Sequence, residues 1–293
     1  MNVNDAAGRG VARRGLARRR WGRPALHVTG RTVTVLVSLL FFSPVLMAFI
    51  LAFRTTTEID KNPLALPTSL TLSSIDSAWV QGSLGPAFRN SILVAVVAVI
   101  WLVASGQVLA YYIVRRGDRR AAVVMLYVLA GLMIPYPARA LPLYELMTSL
   151  HLTGNLTSVI LFQAGSLTPL STLLYRGFLR RLPHEYEEAA LVDGARPSTI
   201  LFRVVVPLLR PASAAVATLT GVLVWNDFFT PLLLVGGSNQ ETVPIKIYSF
   251  VGEYTTEWGQ VFAGLAMAAL PIMVVFILLQ RYLVVGLGSG LKG

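Results

Sequence analysis

Chemistry in this chain has few residues to draw on. Five carboxylates stand out by position: Glu185, Glu187, Glu188 and Asp193 inside PHEYEEAALVDGARPSTILFRVVVP (183–207), and Asp227 alone within the apolar run 212–240. Gln107 and Gln163, with Tyr111, Tyr136 and Tyr144, are other candidates to line a path, although aromatics at helix ends more often form interfacial belts. None of them forms a set for covalent chemistry. There is no G-x-S-x-G, no H-E-x-x-H and no pair of carboxylates within an apolar run. A G-x-x-x-x-G-K-[ST] phosphate loop is excluded, because none of the three lysines (Lys61, Lys246, Lys292) follows a glycine. With no cysteine, disulfides, thiolate metal sites and thiol nucleophiles are excluded too. His27, His151 and His184 lie far apart, at no metal-ligand spacing. The chain is not expected to be an enzyme, nor to bind a metal or cofactor of its own.

The elements that must position these residues are set by the solvent. A chain of 293 residues with 55% hydrophobic and 13% charged residues and a mean hydropathy of +0.65 belongs in a bilayer. Residues 32–53, 90–114, 121–138, 152–175 and 258–280 carry no charge, and 212–240 only Asp227. A spanning helix needs ~20 apolar residues. The expected fold is therefore an all-α polytopic membrane protein, with six transmembrane helices near 32–53, 89–114, 120–138, 153–175, 211–235 and 259–283. The six residues RRGDRR between the second and third make those two antiparallel neighbours. After the third, IPYP and ARALPLYELMTSLHL predict a short helix at the outer interface. Arg54–Arg89, holding Pro63, Pro67, Gly82, Gly85 and Pro86, reads as an irregular outer connection.

Arginine decides the orientation, since cytoplasmic loops retain an excess of Lys and Arg. Eight Arg precede or open the first span, so both termini are expected to be cytoplasmic. The inner segments then hold 20 basic and 6 acidic residues, the outer ones 5 and 7. The Arg-rich tail 1–30, read as disordered, is accounted for by topology, so no nucleic-acid partner is expected. The 22-residue apolar run that follows it, 32–53, is long for a cleaved leader.

Transport is the chemistry that remains, driven by a partner or by an ion gradient. The segment 176–210 is the only long inner loop, and it carries the signals of two helices. Pro183 suits a first helical position, Glu185, Glu187 and Glu188 favour the positive end of the helix dipole, and Gly194 suits a left-handed C-terminal cap. A second helix is expected from Pro197–Ser198 and to stop before Pro207, which has no N–H to donate. Tyr186, Ala189, Ala190 and Asp193 follow spacings of three and four, with Glu188 at their margin. Small residues on a helix of ~15 Å suit close approach by another protein. A helix resting on lipid headgroups would favour Lys and Arg instead.

Glu188, Ala189, Ala190, Gly194, Val204, Val206 and Pro207 stand at the spacing of the EAA loop, and the chain resembles the membrane subunits of binding-protein-dependent ABC importers. Val204 and Val206 replace the usual Ile and Leu. VWNDFFTPL (224–232), ALPLYELM (140–147) and QRYLVVGLGSGLKG (280–293) are similar to the maltose-permease-like, sugar-importing branch, and the likeness covers residues 30–293. The resemblance implies a type I permease with a core at about 85–281, in the bacterial inner membrane. It implies a second permease in a heterodimer, a cytoplasmic ATPase dimer that carries the ATP and Mg, and an extracytoplasmic solute-binding protein. It also implies that Glu188, Ala189, Ala190, Asp193, Gly194 and Pro207 belong to a coupling loop seated in an ATPase cleft. The solute would be a sugar or oligosaccharide; importers of polyamines, osmolytes or amino acids share the loop.

Asp227 lies about seventeen residues beyond Arg210, or ~25 Å at 1.5 Å per residue. Unpaired in lipid it would cost about 2.5–3.5 kcal/mol. Two readings stay open: with Asn226 it anchors the fifth span to its neighbours or ends its membrane part, or it touches the solute. A secondary transporter using Asp227 as a proton or Na⁺ site is the competing class, but such proteins carry more intramembrane charge and repeated broken helices.

Overall fold

A computed structural model describes residues 23–288 except 64, 66–69, 253 and 254. The tail up to residue 22 and the last five residues, both among the expectations above, lie outside the described residues. Every regular element described is helical, with one isolated bridge between Val251 and Thr256. The chain divides into two units, residues 1–47 and 48–293. The first holds most of α1 (Arg23–Leu51). Here the structure departs from the expected disordered tail, since 23–30 are already helical. Pro24 falls in the first turn, where its missing N–H has no intrahelical partner to lose, and nothing else in RPALHVTG stops the helix.

Residues 54–89, expected to be irregular, contain α2 (Thr56–Lys61) and α3 (Ser73–Val80). Thr55 and Glu58 form a reciprocal capping box, which is how so short a helix as α2 starts in a polar connection. α4 (Leu84–Arg116) begins five residues before its expected start and runs unbroken for 33 residues. Gly117, at φ +59°, ends it, and Asp118 caps α5 (Arg119–Met133) by accepting from the Ala121 N–H at 2.8 Å. The Ala121 N–H, with Arg116 beside it, holds the Asp118 carboxyl below its ordinary range. The cap is therefore kept through neutral pH and lost only as pH falls through that lowered value. The prolines of IPYP end α5, and α6 (Tyr136–Ser149) leaves at 101°.

α7 (Leu156–Leu179) is capped by Asn155, which accepts from the Thr157 N–H at 2.8 Å. The segment that follows folds as α8 (Glu185–Val192), α9 (Pro197–Ile200), a π-helical turn (Leu201–Val205) and α10 (Val206–Leu208). α11 (Arg210–Trp225) turns away by 73°. α12 (Phe229–Val235), α13 (Val243–Tyr248) and α14 (Trp258–Gly288) complete the chain. Among the described residues four helices are long and apolar enough to cross a membrane, and the two bent pairs α5–α6 and α9–α11 raise the count to as many as six if each is one span.

The distribution of side chains is inverted relative to a protein in water. On α4, Ile100 and Trp101 are 64% and 56% exposed, while Ser158, Ser171, Thr172 and Thr220 are fully buried between helices. Apolar groups outside and hydroxyls inside is what hydrocarbon as solvent selects. α4 packs chiefly on α7, through Ala98, Leu102, Gly106 and Ala110 at four-residue spacing. At Gly106 the helices touch, and Ser171 Oγ donates to the Leu102 carbonyl at 2.6 Å. Around this seam lie three apolar clusters. One gathers Leu102, Val159, Phe162 and Leu234, a second Ala110, Tyr175, Val205 and Val216 beneath the polar loop, and a third Ala78, Leu84 and Val261 at the far end of α4.

Candidate functional site

The loop 180–209 is a built structure. Pro183 and His184 lead into α8, whose end is a Schellman motif around Gly194 at φ +76°. The Ala195 N–H bonds the Ala190 carbonyl at 3.0 Å and the Gly194 N–H bonds Leu191 at 2.9 Å, satisfying carbonyls that the helix end would leave open. A Cβ on Gly194 would meet nothing within 4 Å, so the glycine is required by its backbone angle alone.

The second helix does not stop before Pro207, contrary to the expectation from its missing N–H. The π turn is the reason. It shifts the hydrogen bonding by one residue, so that the Val206 N–H reaches Leu201, and the chain continues through Val206–Leu208 before bending at Leu209. Val205 is fully buried there, and Val204 and Val206 pack against the same cluster.

The faces of α8 differ in one respect from the spacing argument. Tyr186, Glu188, Ala189 and Asp193 are exposed, together with Leu191 and Val192, but Ala190 turns inward onto the second cluster. Glu187, expected only to complement the helix dipole, is buried and forms an ion pair with Arg115 at 2.6 Å. Tyr111 donates to its other oxygen at 3.1 Å. The sequence carried no signal for this, because Arg115 stood in RRGDRR as one of several topology-setting charges.

The second polar feature is the break at 226–228. Trp225 Nε1 donates to the Ala268 carbonyl of α14 at 3.2 Å. Asn226 closes α11, its side-chain amide donating to the Val222 carbonyl at 2.9 Å. Asp227 opens α12, accepting from the Thr230 N–H at 3.3 Å, while its other oxygen accepts from Gln163 Nε2 of α7. Two residues singled out separately in the sequence are thus one contact. Gln107 is turned into packed protein instead, donating to Tyr175 at 3.2 Å and Ser213 at 2.8 Å, and so joins α4, α7 and α11. Tyr136 sits edge-on to Phe162 with centroids 6.0 Å apart, and Tyr136 and Tyr144 line one shallow depression with Phe229.

Comparison with known proteins gives a consistent picture. The family described as binding-protein-dependent transport system inner membrane component matches residues 103–287. The chain is 31% identical over 255 residues to the arabinooligosaccharides transport system permease protein of Halalkalibacterium halodurans, covering 85% of this chain and 91% of that one. It is 28% identical over 256 residues to the probable starch degradation products transport system permease protein of Thermoanaerobacterium thermosulfurigenes, covering 87% and 93%. In fold it is similar to a chain of a bacterial ABC transporter involved in import of the acidic polysaccharide alginate, with a TM-score of 0.74 at 20% identity over 88% of this chain and 96% of that one.

Proposed function

The chain belongs to the family of binding-protein-dependent transport system inner membrane components, a multi-pass protein of the inner membrane, and from that premise we propose that it forms half of a translocation pathway for a sugar or oligosaccharide. The observation that carries the mechanism is α8. It is a capped helix of eight residues with Tyr186, Glu188, Ala189 and Val192 presented outward, backed by a packed cluster and joined to the long helix α4. The sugar class is supported by the relatives, which are named for arabinooligosaccharides and for starch degradation products. ATP hydrolysis takes place on a separate ATPase pair, in whose cleft α8 sits. A second permease, in a heterodimer, completes the path, and an extracytoplasmic binding protein delivers the solute. Asp227 acts as an anchor, a reading supported by its contacts with Gln163 and the start of α12.

The test separates docking from folding. Gly194→Val forces a β-branched residue into the left-handed region at a cost of about 1–2 kcal/mol, equivalent to about a five- to thirtyfold loss of correctly aimed α8. Gly194→Asn tolerates that region. Gly194→Val is expected to weaken co-purification of the ATPase and lower ATP turnover in the reconstituted complex while the chain inserts normally; Gly194→Asn should stay near wild type. Glu188→Ala, on the exposed face, should lower both without disturbing the fold. Wild-type ATPase retention and turnover in both Gly194→Val and Glu188→Ala would show that α8 is not the coupling element.

A further inference from the structure

We propose that Arg115 and Glu187 are positioning residues that lock the coupling helix to the end of α4, so that α8 moves with α4. The inference rests on the coupling reading above and goes beyond it, because neither side chain belongs to the outward face. Glu187 and Glu188 are adjacent, yet one helical step of about 100° sends them to opposite tasks. Glu188 is exposed, whereas Glu187 and Arg115 are each only 10% exposed as side chains.

The guanidinium grips three residues of the segment entering α8. Nε and Nη2 both reach Glu187 Oε1, at 2.7 and 2.6 Å; Nη1 lies 2.9 Å from His184 Nε2; Nη2 reaches the Leu182 carbonyl at 3.3 Å. Tyr111, one turn earlier on α4, holds the remaining oxygen, Glu187 Oε2. Both carboxylate oxygens are thus engaged from a single helix. Apart from this, α8 is held by apolar contacts, with Leu182, Ala190 and Ala195 half-buried against the second cluster. Such contacts are non-directional and let a short helix slide or roll, whereas a planar five-donor fork fixes both distance and angle. A displacement of α4 therefore reaches α8 through Arg115.

Spin labels on Leu191 of α8, exposed but outside the docking face named above, and on exposed Val108 of α4 measure the lock directly in the full transporter complex. The wild type should give one narrow distance distribution. Glu187→Gln, which keeps shape but removes the charge, and Arg115→Lys, which keeps charge but removes the fork, should both broaden it. The same two variants should retain the ATPase yet import less solute per ATP hydrolysed, by about tenfold. The reciprocal exchange, Arg115→Glu with Glu187→Arg, should recover part of the narrow distribution lost in either single change. An unbroadened distribution in Glu187→Gln, or an unchanged ratio of import to hydrolysis, would overturn the lock. Failure of the coupling reading itself shows differently, as wild-type ATPase retention in Gly194→Val and Glu188→Ala.

Discussion

Gly106→Val is expected to abolish recovery of folded, assembled protein, the largest effect of any single change argued for this chain. A Cβ at Gly106 would lie well inside van der Waals contact with Ser171 Oγ and 3.0 Å from Tyr175 Cδ2, and valine adds two further methyl groups. Ser171 cannot retreat freely, because its hydroxyl is bonded to the Leu102 carbonyl, and Tyr175 is fully buried. Relief requires α4 and α7 to move apart along the main helix seam of the second unit. Overpacking of a tight contact costs about 1–3 kcal/mol, and separating the helices also strains the Gln107 bonds to Tyr175 and Ser213. Gly165→Ala is the control. It lies on α7 with open space at its Cβ, and alanine is favoured over glycine in a helix by about 1 kcal/mol. Thermal denaturation in detergent, followed by fluorescence-detected size exclusion, should show Gly106→Val aggregated and Gly165→Ala unchanged or slightly more stable. An intact, monodisperse Gly106→Val protein would show that the α4–α7 seam is looser than described.

The second large effect is at Asp227. Asp227→Leu removes the acceptor from the buried Gln163 amide and from the Thr230 N–H of α12 together. A hydrogen bond to a charged group is worth about 1.5–3 kcal/mol, and a buried amide left unsatisfied costs about 1–3 kcal/mol. Within membranes such bonds average about 0.6 kcal/mol, because the unfolded chain also finds partners, so the expected loss is about 2 kcal/mol. Asp227→Asn keeps an acceptor oxygen for Gln163 and should retain most of the stability. Melting of the purified complex and solute uptake, measured together, distinguish anchor from solute contact. An anchor predicts that stability and uptake fall together in Asp227→Leu and survive in Asp227→Asn. If Asp227→Leu melts like wild type but imports nothing, the carboxylate contacts the solute.

Much of this protein was legible from neighbouring residues alone. Hydropathy identifies the solvent because the cost of placing charge in hydrocarbon is paid at each position, without reference to partners. The helix–turn–helix of the loop was equally visible. Gly194 supplies a backbone angle that its own lack of a side chain permits, and Pro183 and the acidic first turn act within a few residues. Where a local rule failed, another local geometry had absorbed the defect. The π turn at Leu201–Val205 carries the chain past Pro207.

What only the tertiary structure decided is which polar group meets which. Arg115 and Glu187 are 72 residues apart, Gln163 and Asp227 are 64, and Gln107 and Ser213 are 106. Each pairing depends on the rotation and register of two helices packed side by side. A single-residue shift turns a side chain through about 100° and carries it from a partner to lipid. The sequence alone therefore established a bilayer-spanning, helical chain whose polar loop folds as helix, turn and helix. The turning of Glu187 inward beside an outward Glu188, the use of Gln107 as packing rather than lining, and the union of Gln163 with Asp227 required the helices to be in place.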